Sequence, residues 1–301
     1  MAADAEVAVR TSEASHLRIA ARVREVASRR ETLLNLVRKE LKVKYAQSVL
    51  GAIWSLLNPI VFLAVFSFVM RITNNQFSDY PVYLLSGLLA WNLCSVSLTT
   101  GARSVIDNAN LVKKVAFPRE ILPLSAIGVA LVDFVLQSAV LFLFIPASGH
   151  GFHLPELVIY PLAFVTLIVF TTAMTLWLAA LNVRYRDIQH LLNIGLLVWF
   201  WFTPIVYSGY LVKDVLTRHP VLGVNLWNLF LVNPLTPIVM GFQRALYATV
   251  RPPGSPKPVL PDVGLAWLAG VLALVLVVSL AFLRLTWGTF FRLSGDFAEE
   301  L

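Results

Sequence analysis

The sequence predicts an all-α integral membrane protein of six spans, and three observations carry that prediction. Residues are 58% hydrophobic and only 14% charged, and the mean hydropathy is +0.75, far too apolar for a soluble domain. Apolar runs long enough to cross a bilayer, which takes about 20 residues, alternate with short connections. The Lys and Arg residues behind the net charge of +7 are spread along the flanks of those runs, as the positive-inside rule requires and as a nucleic-acid surface does not. In 301 residues six spans leave no room for a separate globular domain of ordinary size. The lone Cys94 lies in an apolar run, so neither a disulfide framework nor a cysteine zinc site is available. The first apolar run starts near Val49, which argues against a cleavable signal peptide.

Residues 1–30 are Ala- and Arg-rich and read as a cytoplasmic, disordered or loosely helical N-terminus. Residues 31–48 are predicted to form an amphipathic interface helix. At about 100° per residue, Leu33, Leu34, Leu36, Val37, Leu41, Val43 and Tyr45 fall on one arc, while Glu31, Asn35, Arg38, Lys39 and Lys42 fill the other. Packing on a partner protein would give the same pattern. Glu40 and Lys44 interrupt the apolar arc and, four apart, are placed to pair with each other. Arg38, Lys39, Lys42 and Lys44 are candidate ligands for the anionic pyrophosphate of a lipid carrier, beside their plainer role in topology and headgroup contact.

The transmembrane region is predicted over residues 49–290. Its spans cover about 49–70, with Asn58-Pro59 as a kink, then 80–101, 121–145, 157–182, 188–207 and 263–283. Residues 220–243 are uncharged but hold Pro220, Gly223, Asn225, Asn228, Asn233, Pro234 and Pro237. That density of breakers suits a re-entrant or broken helix better than a seventh span. Lys and Arg number ten before the first span, four after the second, two after the fourth and two in the tail, against one, none and five on the opposite side. Both termini, with the 291–301 tail, are therefore expected in the cytoplasm and the broken element outside.

Between the second and third spans lies the polar and basic island Asp107–Pro123. Asp107, Asn108 and Asn110 are helix N-cap residue types. Leu111, Val112 and Val115 make a small apolar face beside Lys113 and Lys114, and Pro118 ends the helix. Taken alone the segment reads more simply as an ordinary basic loop; its place among the spans turns it into a cytoplasmic surface helix. Leu111, Val112 and Val115 are then expected to seat, and Lys113 and Lys114 to orient.

Little else carries chemistry. The chain has no Gly-rich phosphate loop ending in Lys-Ser or Lys-Thr, so nucleotide hydrolysis is expected elsewhere. His150, His153 and Glu156 have helical ligand spacing but sit among Gly and Pro, which favours a solvated loop over a metal site. Asp133 is the one acid deep in a span, where a charge costs about 2.5–3.5 kcal/mol; it reads as a packing contact inside the bundle or as lying nearer the interface. A lone acid is too little for an ion-driven pump, and no acid, His or metal cluster supports a transferase. Trp54, Phe62 and Phe66 recur on the first span, and Trp199, Phe200, Trp201, Phe202, Tyr207 and Tyr210 crowd the fifth. Such faces suit a sliding glycan, and they equally suit interface belts and helix packing.

Several segments together resemble the permease subunit of bacterial ABC transporters, in the type-two branch that exports O-antigens, teichoic acids and related envelope glycans. They are RKELKVKYAQSVLGAIWSLLNP at Arg38–Pro59, LVKKVAFPREILPLS at Leu111–Ser125, NVRYRDI at Asn182–Ile188, TPIVYS at Thr203–Ser208, NPLTPI at Asn233–Ile238 and FAEEL at Phe297–Leu301. The match runs from Arg30 onward and is most specific in the first two segments.

The resemblance implies a homodimer of six-span subunits in the bacterial plasma membrane, served by two cytoplasmic ABC ATPase subunits that bind the ATP and Mg; this chain binds no cofactor and no nucleic acid. It implies that Asp107, Asn110, Leu111, Val112, Lys113, Lys114, Val115 and Phe117 form a coupling helix in an ATPase groove, with Arg184, Arg186 and Asp187 as a smaller contact. It implies a channel lined by the first and fifth spans, for which Trp54, Asn58, Phe62, Phe66, Trp199, Trp201, Phe202 and Tyr207 are candidates, and an outer gate at Asn225, Trp227, Asn228, Asn233 and Pro234. The expected cargo is an undecaprenyl- or decaprenyl-linked polysaccharide, and the Ala/Val/Arg/Leu-rich, high-GC composition makes a cell-wall galactan one candidate. Export of a drug or small lipid by the same architecture, or transport without an ATPase, are the rival expectations.

Overall fold

The structure is a computed structural model that describes residues 19–46, 48, 51–72, 79–115, 117–218, 226–248 and 258–301. In chain order its helices are α1 (Ile19–Ser28), α2 (Arg30–Tyr45), α3 (Trp54–Ile72), α4 (Tyr80–Asp107), α5 (Ala109–Lys114), α6 (Ile121–Ala147) and α7 (Leu154–Leu157). There follow α8 (Ile159–Arg184), α9 (Ile188–Trp201), α10 (Gly209–Arg218), α11 (Leu226–Leu231), α12 (Leu235–Leu246), α13 (Leu265–Ser294) and α14 (Phe297–Glu300). Among the described residues five stretches are long and apolar enough to cross a membrane: α3, α4, α6, α7 with α8, and α13. The sixth expected span, 188–207, is shorter than predicted. Its helix α9 has 14 residues, about 21 Å at 1.5 Å per residue, less than a bilayer core.

α4 is the buried centre, packed by α6, α8 and α12 and, more lightly, by α3 and α9. Small residues let neighbours approach it. A Cβ added at Gly101 would lie 2.1 Å from Thr175 Cγ2 on α8, and Asn182 Nδ2 donates to the Ala102 carbonyl at 2.9 Å. These contacts, with Val105, Val183 and Phe290 in one cluster, bring the C-terminal ends of α4, α8 and α13 together at the end of the bundle that carries α5. α3 lies on the outside, with almost none of its apolar window covered.

The Asn58-Pro59 expectation resolves into a hydrogen-bond transfer. α3 runs on through Pro59, which has no N–H for the carbonyl four residues back. That carbonyl, Ser55 O, accepts instead from Gln137 Nε2 of α6 at 3.0 Å, and Gln137 Oε1 accepts from Asn92 Nδ2 of α4 at 3.1 Å. Three helices are thereby tied through one backbone vacancy.

Gly101→Ala is expected to lower stability by about 1–3 kcal/mol through overpacking. Thr175→Ala, which removes the obstructing methyl, should restore most of that loss. Thermal unfolding of the detergent-purified single and double variants checks it; a fully stable Gly101→Ala protein would contradict this packing.

Candidate functional site

α5 is one and a half turns long, and Val112 is its buried residue, 4% exposed, with Leu111 half-buried and Asn110, Lys113 and Lys114 on the surface. Val115 does not seat as expected. The helix stops at Lys114, so Val115 is extended and 51% exposed, off the repeat that would have turned it inward. Phe117 is half-buried against the same cluster as Val112. The N-cap expectation also fails, since Asp107 ends α4 and pairs with Arg103 at 3.5 Å. Asn108 precedes α5, but its Nδ2 donates back to Ser104 O at 2.9 Å and its Oδ1 accepts from Lys39 at 3.3 Å. The 184–187 turn opens at the same end of the bundle, because Val183 shares the Val112 cluster. Arg184, Arg186 and Asp187 are all exposed there, with the Arg184 guanidinium 5.9 Å from the Tyr185 ring centroid. The two segments thus share a basic surface on an apolar backing.

α2 packs along α6 through close contact, Val37 filling the space where a Gly128 side chain would be (2.6 Å from Cγ2 to a built Cβ). Leu36 is buried, whereas Leu34 and Val43 of the predicted apolar arc are exposed on the subunit surface. Glu40 and Lys44 do not pair as expected. Glu40 meets Lys39 at 3.4 Å, and Lys44 meets Asp133 at 2.5 Å. Asp133, 6% exposed, also accepts from the Tyr45 hydroxyl at 2.7 Å. Burial, and then the Asp133 carboxylate, push the Tyr45 phenol up to about 12, so it stays a donor. Asp133 is therefore the packing contact of the two readings, and it fixes the end of α2 to the bundle. Its signal was a single buried acid, which needs a cation, beside a helix rich in lysine.

The four candidate headgroup cations do not converge. Lys39 and Lys44 line a cleft of about 660 Å³ with Arg103, Ser125 and Gln189. Arg38 and Lys42 are exposed on the helix surface and lie off that cleft.

The aromatics of the first and fifth expected spans interlock. Phe62 and Phe66 of α3 meet Phe200 and Trp201 of α9 at centroid distances of 5.6 and 6.3 Å, and Trp91 of α4 closes on Phe200 at 5.3 Å. Trp54, Asn58, Trp201 and Phe202 present open surface. Trp199 turns away from this face, its indole N–H donating to Asn233 Oδ1 at 2.7 Å. Tyr207, half-buried, donates to the Trp201 carbonyl at 2.7 Å.

Irregular backbone begins earlier than predicted, at residues 202–208, within the expected fifth span. Hydropathy could not reveal this, because Thr203 to Val206 are buried like any span. Their carbonyls are covered by side chains. Gln243 Nε2 donates to Pro204 O at 2.9 Å, the Tyr83 hydroxyl to Tyr207 O at 2.7 Å and the Tyr80 hydroxyl to Val206 O at 3.0 Å. Asn233 is the hub of the gate set: its Nδ2 reaches Phe202 O at 3.1 Å, and its Oδ1 accepts from Leu235 N at 3.1 Å. Pro234 caps α12 and Trp227 is buried, while Asn228 borders an apolar cleft against α13. Asn225, Pro220 and Gly223 lie outside the described residues. α12 is buried almost throughout and, at 12 residues, is shorter than a span.

The His150, His153 and Glu156 group separates. His150 is buried, with Nδ1 3.0 Å from Asp79 Oδ2 and Nε2 3.0 Å from the Tyr247 carbonyl. Glu156 pairs with Arg244 at 3.6 Å, and His153 is exposed. His150 and Glu156 thus tie the two ends of the loop to α4 and α12, while residues 151–155 between them are exposed, as a solvated loop is.

A bundle of apolar helices with a short basic surface helix at one end and a buried, broken element at the other defines the membrane subunit of a transporter. The chain belongs to the ABC-2 type transporter family, whose profile matches residues 31–247. It is 32% identical over 253 residues to the O-antigen export system permease protein RfbA of Myxococcus xanthus, covering 82% of this chain and 93% of that protein. It is 29% identical over 201 residues to an RfbA of Klebsiella pneumoniae, covering 65% of this chain and 78% of that one. The polysialic acid transport protein KpsM of Escherichia coli is 22% identical over 261 residues, 84% of this chain and 92% of KpsM.

Asp133→Ala, which strands Lys44, is expected to cost about 1–3 kcal/mol, less than a fully buried pair because the Lys44 side chain is 36% exposed. Lys44→Met with Asp133→Leu should recover most of it. A double-mutant cycle on unfolding in detergent measures the coupling, and strict additivity would refute the pair.

Proposed function

We propose that this chain is the membrane subunit of an ATP-driven exporter that carries a lipid-linked polysaccharide from the cytoplasmic to the outer side of the bacterial plasma membrane. The observation that carries the reading is the α5 surface. A helix of six residues is held from behind by Val112 and offers Lys113 and Lys114 outward, in an ABC-2 chain that lacks a nucleotide loop of its own. A partner ATPase, holding ATP and Mg, supplies the energy by pushing on α5, with the 184–187 turn as the second contact. The distribution of Lys and Arg supports an orientation with this end and both termini in the cytoplasm.

Two copies of the chain with two ATPase subunits form the working unit. The apolar outer surfaces of α3 and α9, with Trp54, Trp201 and Phe202 exposed, support a channel wall or subunit interface there, and Asn58, Phe62, Phe66 and Tyr207 belong to the same region. Trp199 acts instead with the gate, where Asn233 holds it. The printed names of the relatives, O-antigen export and polysialic acid transport, support a polysaccharide cargo. The cleft holding Lys39, Lys44 and Arg103 is suited to the pyrophosphate of an undecaprenyl- or decaprenyl-type carrier, by positive charge at the headgroup level. O-antigen, teichoic acid and galactan are the candidate polymers.

Purification in mild detergent is expected to bring down an ABC ATPase. Lys113→Glu with Lys114→Glu should leave insertion intact and reduce export per ATP hydrolysed about tenfold, since charge reversal at a docked contact costs on the order of 1.4 kcal/mol or more. Unchanged export in this variant would overturn the assignment of α5. Depletion should accumulate a lipid-linked glycan inside cells, whose composition names the polymer.

A further inference from the structure

α5 is too short to hold its own shape, because six residues form barely the nucleus of a helix. Asn108, the residue before it, makes no side-chain cap. Its position is therefore set by what lies behind Val112. That backing is a compact apolar cluster of Val105 from α4, Val183 from α8, Phe290 from α13 and Phe297 from the last four-residue helix. α14 packs directly on α5 and on the end of α8. Phe297 is 1% exposed and sits edge-on to Phe290, with centroids 5.4 Å apart and planes at 85°. Leu301, the last residue, packs half-buried on the same cluster, and its N–H closes on the Phe297 carbonyl at 3.2 Å.

We infer that the C-terminal helix α14 is a positioning brace for α5, with Phe297 as the residue through which it acts. Val105, Val183 and Phe290 ride on helices long enough to be held by the bundle. Phe297 follows the turn at Gly295–Asp296 that ends α13, so its place depends on its own burial. A force applied to the exposed face of α5 passes through Val112 into this cluster, and α14, packed on both α5 and the end of α8, contributes Phe297 to it. Without Phe297, α5 would yield locally rather than transmit. The inference rests on the reading of α5 as the ATPase contact for its consequence, but the brace itself can be measured without an ATPase.

Cys94 is the one cysteine in the chain and is buried, so single spin labels can be introduced at Lys114→Cys on α5 and, as a control at the opposite end, at Thr217→Cys on α10. In nanodiscs, Phe297→Ala and a chain ending at Gly295 are expected to raise the mobile fraction of the α5 label about twofold or more and to leave the α10 label unchanged. Phe297→Leu, which keeps an apolar filler, should stay near the parent. In the complex with the copurified ATPase, export per ATP hydrolysed should fall about fivefold in Phe297→Ala and remain close to normal in Phe297→Leu. An α5 label no more mobile in Phe297→Ala than in the parent, or both labels loosening together, would overturn the brace. If the α5 label loosens but neither Phe297→Ala nor the Lys113→Glu, Lys114→Glu pair alters export per ATP, the brace stands and the coupling assignment falls.

Discussion

A backbone carbonyl inside a bilayer has no water to bond, so each one freed from a helix must find a donor in the protein. This constraint organises the chain. Pro59 frees Ser55 O, and Gln137 answers it. The irregular residues 202–208 free several more, and Gln243, Tyr83, Tyr80 and Asn233 answer those. Gln137, Gln243, Tyr83 and Tyr80 answer from other helices and Asn233 from the turn before α12, so satisfying the backbone also locks separate elements together. Part of the polar inventory of this apolar chain therefore stands where the helices break.

α4 gains its central place from the same requirement. One end supplies the hydroxyls of Tyr80 and Tyr83 to the broken segment, and the other carries Val105 into the cluster behind α5. With 28 residues it is a rod of about 42 Å, rigid because α6, α8 and α12 enclose it. In the proposed cycle, motion imposed at α5 therefore has a continuous path to the segment beneath the gate. The buried pair of Asp133 with Lys44 has a different role: it anchors the end of α2, so the amphipathic helix is part of the bundle rather than an independent float on the surface.

The apolar helices α3, α4, α6, α8 and α13 were legible along the chain because hydropathy is local, whereas the surface helix at 109–114 was legible only from its place between two spans. Breakers at Asn233 and Pro234 announced the interruption between α11 and α12. The break at 202–208 carried one signal, Pro204, but the apolar residues around it, Thr203, Ile205 and Val206, read as a continuing span, and their partners on α4 and α12 became visible only in the fold. The same limit explains Trp199. Its aromatic density suggested a channel wall, whereas its indole N–H is committed to Asn233. Val115 was misjudged because the helix repeat was carried one residue past the point where the chain straightens.

By itself the sequence determined that this is a membrane bundle, where its helices run, and that its basic residues gather on one side, since hydrophobicity, breakers and charge act locally. Tertiary structure decided which polar atoms meet: Lys44 with Asp133 instead of Glu40, Gln137 with the carbonyl that Pro59 leaves open, and Phe297 behind Val112. Those pairings join residues 89, 82 and 185 positions apart. No local periodicity encodes them, because they are selected by desolvation in the assembled bundle, where an unpaired polar group or an unfilled space is costly only once its neighbours have closed around it.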